Sequence, residues 1–476
     1  MLIRYKVSNF LSFNEMQEFS MIAGKTRNNQ NRIMADEATG LKLLKFGSVF
    51  GANASGKSNL IKSILFSKII ACNGIPNPQE FLQEYYFKLD EKNKTKPSYF
   101  EFEMKIDGKC YAYGFELILN EKEFTSEWLY EINNENSKKI FERNVTEETI
   151  NLNSSLKNIK DRTLKKKFEV YTDDIKNNKK MLFLKDICFR DNLFDKKYKN
   201  DDIEIFRKVY LWIQNLVIID PSAPPYYNYL LDKSEDESQY QKIRKIIKSF
   251  GTGITDYKIG KCTLEESDLS IQEKEYIKNA IADAKKRIKI EPMKIGPGAK
   301  DIRAKLTIST PDLKRFIFVE LTKENDPIVV KTLSFKHGTG DLNIMEESDG
   351  TKRLLDLIEI FLYNENCVCF VDELDRSLHP QLTRKFIEAF LKNAIDKNTQ
   401  LIITTHESRL LDLELLRRDE IWFVDKNKKG ESSIYSLDEY NERFDKKIDK
   451  AYFEGRYGGV PIFEEIFPNL GENDEN

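Results

Sequence analysis

Only three histidines and six cysteines occur in 476 residues, and the cysteines (72, 110, 188, 262, 367 and 369) show neither a CxxC pair nor the spacing of a disulfide framework. A zinc site and a disulfide scaffold are thereby disfavoured, and the thiols read as reduced core or surface residues. Long apolar runs are missing too: nothing uncharged approaches the ~18 residues of a membrane helix, and Val209 to Ile219 stops at Asp220. The opening MLIRYKVSNF places Arg4 and Lys6 where a signal peptide needs an apolar core, so a soluble, cytoplasmic protein is expected. Charge of one sign is not in excess, with 76 Lys plus Arg against 78 Asp plus Glu, and any nucleic-acid or membrane partner must use a local patch. What is present is 40% hydrophobic and 12% aromatic content, enough for large cores, in a length suited to about two or three domains.

The chain is organised around Lys45 to Leu65, KFGSVFGANASGKSNLIKSIL. A strand-like run (Phe46, Val49, Phe50) enters Gly51-Ala52-Asn53-Ala54-Ser55-Gly56-Lys57-Ser58-Asn59, and a helix-like pattern (Leu60, Ile61, Ile64, Leu65) leaves it. Two glycines let consecutive N–H groups turn inward at a helix N-terminus, where partial positive charge already collects, so a phosphate is the natural guest. Lys57 would reach the β- and γ-phosphates, and the Ser58 hydroxyl would hold one coordination position of Mg²⁺. The bland alternative is an ordinary glycine turn.

Residues 1–132 read as short strands around this loop and helix: Ile3 to Val7, Gln17 to Ile22, Phe46 to Phe50, Tyr99 to Ile106, Tyr111 to Leu119 and Trp128 to Ile132. The later ones suggest an antiparallel layer beside the nucleotide sheet. Residues 133–300 read as a mostly helical, basic insertion. Leu156 to Asn200 holds 14 Lys or Arg against 7 Asp or Glu, interleaved with Phe168, Tyr171, Phe183, Phe189, Phe194 and Tyr198. Such a stretch could track a nucleic-acid backbone or an acidic partner, or be no more than solvated helix faces. Pro221, Pro224 and Pro225 break the insertion. Alternation returns over Ile302 to Lys331, so residues 301–476 are expected to complete the nucleotide fold.

Cys367 to Val371 is an apolar run ending in Asp372-Glu373, as in a buried parallel strand opening on a ligand crevice. Asp372 would bind Mg²⁺ through water and Glu373 would orient or deprotonate the attacking water, unless this is only an acidic strand end. Gln400 to His406 is a second such strand, whose His406 could sense the γ-phosphate or be merely structural. Upstream, Ser348 sits where an N-cap belongs, so its hydroxyl, the Gly350 amide and the helix dipole form a second anion site or simply a cap.

In that order, the glycine loop, Ser348-Asp349-Gly350, the carboxylate strand with Leu374-Asp375, and His406 resemble the ABC-type ATPase superfamily. GANASGKSNL, ESDGTKRLLDL, VDELDRSLHP, TTHES and GRYGGVP, with Asn9-Phe10-Leu11-Ser12-Phe13, resemble more closely the SMC/RecF/OLD-like ATPases of bacterial defence and abortive-infection systems, such as RloA, AbiL and the AriA component of PARIS. The resemblance covers roughly residues 1 to 130 and 335 to 465. It implies an α/β ABC/SMC-type P-loop head with a mixed central sheet, and ATP with Mg²⁺ as ligands. It also implies a homo-oligomer of at least two heads, in which Ser348 and Gly350 of one copy complete the site of another, and it places Asp375 among the nucleotide-binding residues. Asp349 stands where many signatures carry glycine, and the usual glutamine of the Q-loop has only Gln79 and Gln83 as candidates. OLD proteins carry a TOPRIM nuclease after the ATPase; the 70 residues beyond His406 are too few for one, so any nuclease is expected as a separate effector.

The expected activity is therefore ATP hydrolysis by a sensor or regulator of an anti-phage system, with Lys57, Glu373 and His406 as catalytic groups. Two other readings stand beside it: a nucleotide-gated scaffold that sequesters a toxin with little hydrolysis, and a RecF-like DNA repair ATPase that binds DNA through the insertion.

Overall fold

The strands Phe46–Phe50, Cys367–Val371 and Thr399–Thr404 are buried along their whole length, the pattern of parallel strands covered on both faces. In the computed structural model they form the centre of a six-stranded sheet. Its order is Val217–Ile219, Cys367–Val371, Thr399–Thr404, Phe46–Phe50, Ile421–Lys426 and Ser432–Ser436, with only the last pairing antiparallel. A seven-stranded antiparallel sheet runs Thr149–Leu152, Ser137–Asn144, Glu123–Ile132, Lys109–Ile118, Ser98–Ile106, Leu2–Ser8 and Gln17–Ser20. One core joins side chains of both sheets with the helix Lys57–Asn73: Leu60, Ile61, Ile64 and Ile70 share a buried cluster with Tyr5, Phe102, Val49 and Ile402. Phe10 packs on Phe66 of that helix at 5.0 Å between ring centroids, and Tyr5 Oη lies 3.3 Å from Ser67 Oγ.

The described residues exclude 27, 37–38, 76–83, 134–136, 196–199, 222–226, 234–235, 288–303, 310–315, 322–327, 364–365, 441–447, 449–451 and 453–476. Both sheets above belong to a unit made of Met1–Asp220, Asn364–Asp375 and Thr383–Asn476. The other unit, Pro221–Tyr363 with Arg376–Leu382, has its own antiparallel sheet in the order Asp256–Thr263, Val329–His337, Phe316–Leu321, Ala304–Ser309, with Gly340–Asn343 as a hairpin partner of Val329–His337. Ile277 and Ile281 of the helix Ile271–Arg287 pack on Ile308, Ile317, Val319 and Val330 of that sheet.

This division differs from the expected boundaries at 132 and 300. Ser137–Leu152 form two strands of the antiparallel sheet, because Ile140 and Phe141 face inward while the surrounding Lys138, Lys139, Glu142 and Arg143 hide the alternation in the sequence. Ala304–Ser309 and Phe316–Leu321 pair within the second unit's sheet, not with the nucleotide sheet. Alternation identifies a strand and its buried face but not the sheet it joins. Pro221 opens the second unit, whereas Pro224 and Pro225 lie outside the described residues. The helices Arg162–Ile175, Phe183–Cys188 and Asp201–Gln214 bury Phe183 and Phe206 against Phe141, and Phe168 against Phe183 and Phe206, so these three phenylalanines serve the core.

Candidate functional site

Strand Phe46–Phe50 ends at Gly51, and the following helix begins at Lys57 with Gly56 as its N-cap at φ 118°. Gly56 therefore adopts a backbone conformation that side-chain-bearing residues avoid. Between them Ala52 to Ser55 form a tight turn, with Ser55 N donating to Ala52 O at 3.2 Å and Ala54 at φ 62°. The loop is pressed against its surroundings: a Cβ on Gly51 would lie 2.3 Å from Val424 O, and one on Gly56 would lie 2.4 Å from Ser432 Oγ.

Lys57 is 3% exposed, and its Nζ donates to Gly51 O at 2.8 Å and Ala52 O at 2.9 Å. Burial lowers its pKa from 10.5 to about 8, against the upward pull of Asp372, Asp375 and Glu373. His406 Nδ1 lies 3.3 Å from the same ammonium. Burial first and then the Lys57 charge hold the His406 pKa below its ordinary value, so the neutral ring accepts at Nδ1 and keeps its proton on Nε2.

Parallel register brings the other groups to the same sheet edge. Val371 pairs with Ile403 and Ile403 with Ser48, so all three strands end together at their C-terminal ends, where α/β sheets bind ligands. Asp372 Oδ1 accepts from Ser58 Oγ at 3.1 Å and from Thr404 Oγ1 at 2.5 Å. Glu373 is left-handed at φ 46°, and its N–H donates to Thr404 Oγ1 at 2.8 Å. Leu374 N donates to Thr404 O at 3.0 Å, and His406 N donates to Asp375 Oδ1 at 3.2 Å.

Lys57, Ser58, Asp372, Glu373, Asp375 and His406 thus share one edge of one sheet. Ser348 and Gly350 belong to the second unit. There Ser348 caps the helix Asp349–Ile358, its Oγ accepting from Thr351 N at 3.1 Å, and the neighbouring Asp349 side chain is 87% exposed. A Cβ on Gly350 would lie 2.9 Å from Ser377 O, so packing alone already favours glycine there. Gln79, Gln83 and GRYGGVP lie outside the described residues.

Sequence reasoning missed three serine or threonine hydroxyls. Ser12 Oγ accepts from Asn59 Nδ2 at 2.7 Å, Ser12 O accepts from Ser432 N at 2.8 Å, and Ser432 Oγ donates to Ser55 O at 2.5 Å. Asn9-Phe10-Leu11-Ser12-Phe13, noted as a motif without a role, is therefore a turn that grips the glycine loop. The third is Thr404, which opens the TTHES motif and ends an apolar run without a role legible in either.

The residues fit a nucleotide triphosphate with Mg²⁺. Lys57 and the helix N-terminus offer positive charge and N–H donors, and Ser55 Oγ is buried in the loop without a hydrogen-bond partner. Ser58 Oγ and Asp372 Oδ1 are hard oxygen donors at adjoining positions, suited to a cation that completes its shell with phosphate and water.

Residues 48–412 match the model of a family described as "AAA domain, putative AbiEii toxin, Type IV TA system". The chain belongs to this AAA family. Its fold is α/β, with a mixed, mostly parallel central sheet and a separate antiparallel sheet. Among solved structures it is similar to an Smc head bound to the C-winged helix domain of ScpA, at 12% identity over 91% of this chain and 97% of that one, with a TM-score of 0.43. The SMC head domain from Thermotoga maritima matches at 14% identity over 91% and 98% of the two chains, TM-score 0.34. An Smc head with an extended coiled coil bound to the C-terminal domain of ScpA, derived from Pyrococcus furiosus, matches at 13% identity over 96% and 98%, TM-score 0.36. No curated protein matches the chain, and among the described residues no helix is long and apolar enough to cross a membrane.

Proposed function

We propose that this AAA chain binds and hydrolyses ATP and uses the nucleotide to control head-to-head assembly, as the cytoplasmic sensor or regulator of an abortive-infection defence system with a separate effector. The observation that supports it most is the meeting of Lys57, Ser58, Asp372, Glu373 and His406 at one strand edge. Lys57 and the amides of Gly51 to Asn59 bind the phosphates; to do so, the ammonium exchanges Gly51 O and Ala52 O for phosphate oxygens. Ser58 and Asp372 would hold Mg²⁺, which when bound neutralises charge on those oxygens. Glu373 orients the attacking water and takes its proton, and neutral His406 donates from Nε2 toward the γ-phosphate. The solvent-facing turn at Ser348 to Gly350 is available to a second copy. The defence role draws on the family's description and on the motif resemblance.

The test is ATP turnover and light scattering for the parent and Glu373→Gln, each with and without Mg-ATP. Loss of the water-orienting carboxylate lowers turnover by about 3 to 4 kcal/mol of transition-state stabilisation, with nucleotide binding retained and the assembled form accumulating. Parental turnover in the variant would show that Glu373 is not the base, and a size indifferent to ATP in both proteins would remove the assembly step.

A further inference from the structure

Thr404 ends a strand whose preceding residues, Leu401, Ile402 and Ile403, are wholly buried and apolar, and its own side chain is equally buried. A hydroxyl in such a place is unfavourable unless both its donor and its acceptor capacity are used. Both are: the proton goes to Asp372 Oδ1 and a lone pair accepts the Glu373 N–H. The backbone of the same residue accepts from Leu374 N. One residue thus holds three consecutive positions of the carboxylate turn.

The turn needs holding. Glu373 sits at φ 46°, a left-handed region that strains a residue carrying a Cβ, and such strain persists only where neighbours over-determine it. If the Glu373 N–H lost its acceptor, the residue could relax toward negative φ, and its carboxylate would swing away from the position set by the sheet edge. Valine has the shape of threonine but neither hydrogen bond. Serine keeps both and loses only a methyl group.

We infer that Thr404 is a positioning residue for the proposed hydrolysis: its hydroxyl fixes Asp372 and locks the left-handed turn that aims Glu373, so that the metal-binding and water-activating carboxylates keep one mutual geometry. The inference rests on the ATPase reading for its chemistry but on the hydrogen bonds alone for its geometry.

The experiment compares the full chain with Thr404→Val and Thr404→Ser by amide hydrogen exchange over peptides containing residues 372–375, by binding of a fluorescent ATP analogue, and by steady-state ATP turnover. In Thr404→Val, exchange at the turn rises at least about tenfold and kcat falls at least about tenfold, while analogue affinity stays within about twofold; Thr404→Ser restores both. A purely structural role would lower the melting temperature without this split between kcat and binding. Unchanged exchange in Thr404→Val overturns the inference whatever the turnover, and faster exchange with parental kcat overturns it equally. If the parent itself shows no turnover, the ATPase reading fails, and the exchange comparison still decides whether Thr404 holds the turn. Should the valine variant not fold, Thr404→Cys, a poor donor and acceptor of similar size, takes its place.

Discussion

Lys57 makes the proposed phosphate site testable through pH alone. With its pKa lowered from 10.5 to about 8, the free protein carries the ammonium in about nine molecules of ten at pH 7 and about one of ten at pH 9. Phosphates bound beside it favour the charged form, so binding takes up a proton above pH 8. The dissociation constant for ATP should therefore weaken about tenfold between pH 7 and pH 9, and buffers of different ionisation enthalpy should report the uptake calorimetrically. Stability moves the opposite way. Between pH 8 and 10.5 the unfolded chain binds the extra proton, so the folded protein without nucleotide gains stability as pH rises, by up to about 3 kcal/mol at about 1.4 kcal/mol per pH unit. Below pH 8 the penalty for burying the charge is constant. Other groups titrate in the same range, so the measurement is the difference in urea stability between the parent and Lys57→Met across pH, which isolates the lysine. An ATP affinity that changes less than about twofold from pH 7 to 9, or a parent-minus-variant stability that stays flat above pH 8, would refute the reasoning.

Glu127 is fully buried and accepts from Phe183 N at 2.6 Å, Leu184 N at 2.9 Å and Tyr113 Oη at 3.1 Å, with Arg143 at 3.7 Å. Glu127→Ala, read by urea denaturation, should destabilise the first unit by about 3 to 5 kcal/mol, because it leaves the Arg143 charge buried without its partner. Burial raises the Glu127 pKa and lowers that of Arg143, so desolvation outweighs the attraction; Glu127→Leu with Arg143→Met should then cost less than Glu127→Ala alone. Gly51→Ala places a Cβ 2.3 Å from a backbone oxygen that cannot swing aside, so the loop must shift. ATP affinity should fall by more than about tenfold, measured with a fluorescent analogue.

The sequence legibly placed the strand, glycine loop and helix, since glycine, lysine and serine there act within a few residues of one another. It placed Asp372 and His406 at strand ends for the same reason: an apolar run that stops at a polar group marks its own boundary. It did not reveal that Ser12 and Ser432 grip the loop, because their partners Asn59 and Ser55 are 47 and 377 residues away and a lone serine has no pattern. Nor did it reveal that Phe168 and Phe183 of the basic stretch fill a core while Phe189 stays exposed, because composition cannot tell which face of a helix is covered.

What the amino-acid sequence determined by itself was local: which segments are strands or helices, and which residues are candidates for phosphate, metal and proton chemistry. Only the tertiary structure decided which strands share a sheet, that Ser137–Leu152 belong to the antiparallel layer, and that Thr404 ties the two carboxylates together. The physical reason is range. Periodicity and turn chemistry act over a few bonds, whereas register between parallel strands is fixed by side chains that meet only when distant segments pack, and the active geometry is a property of that register.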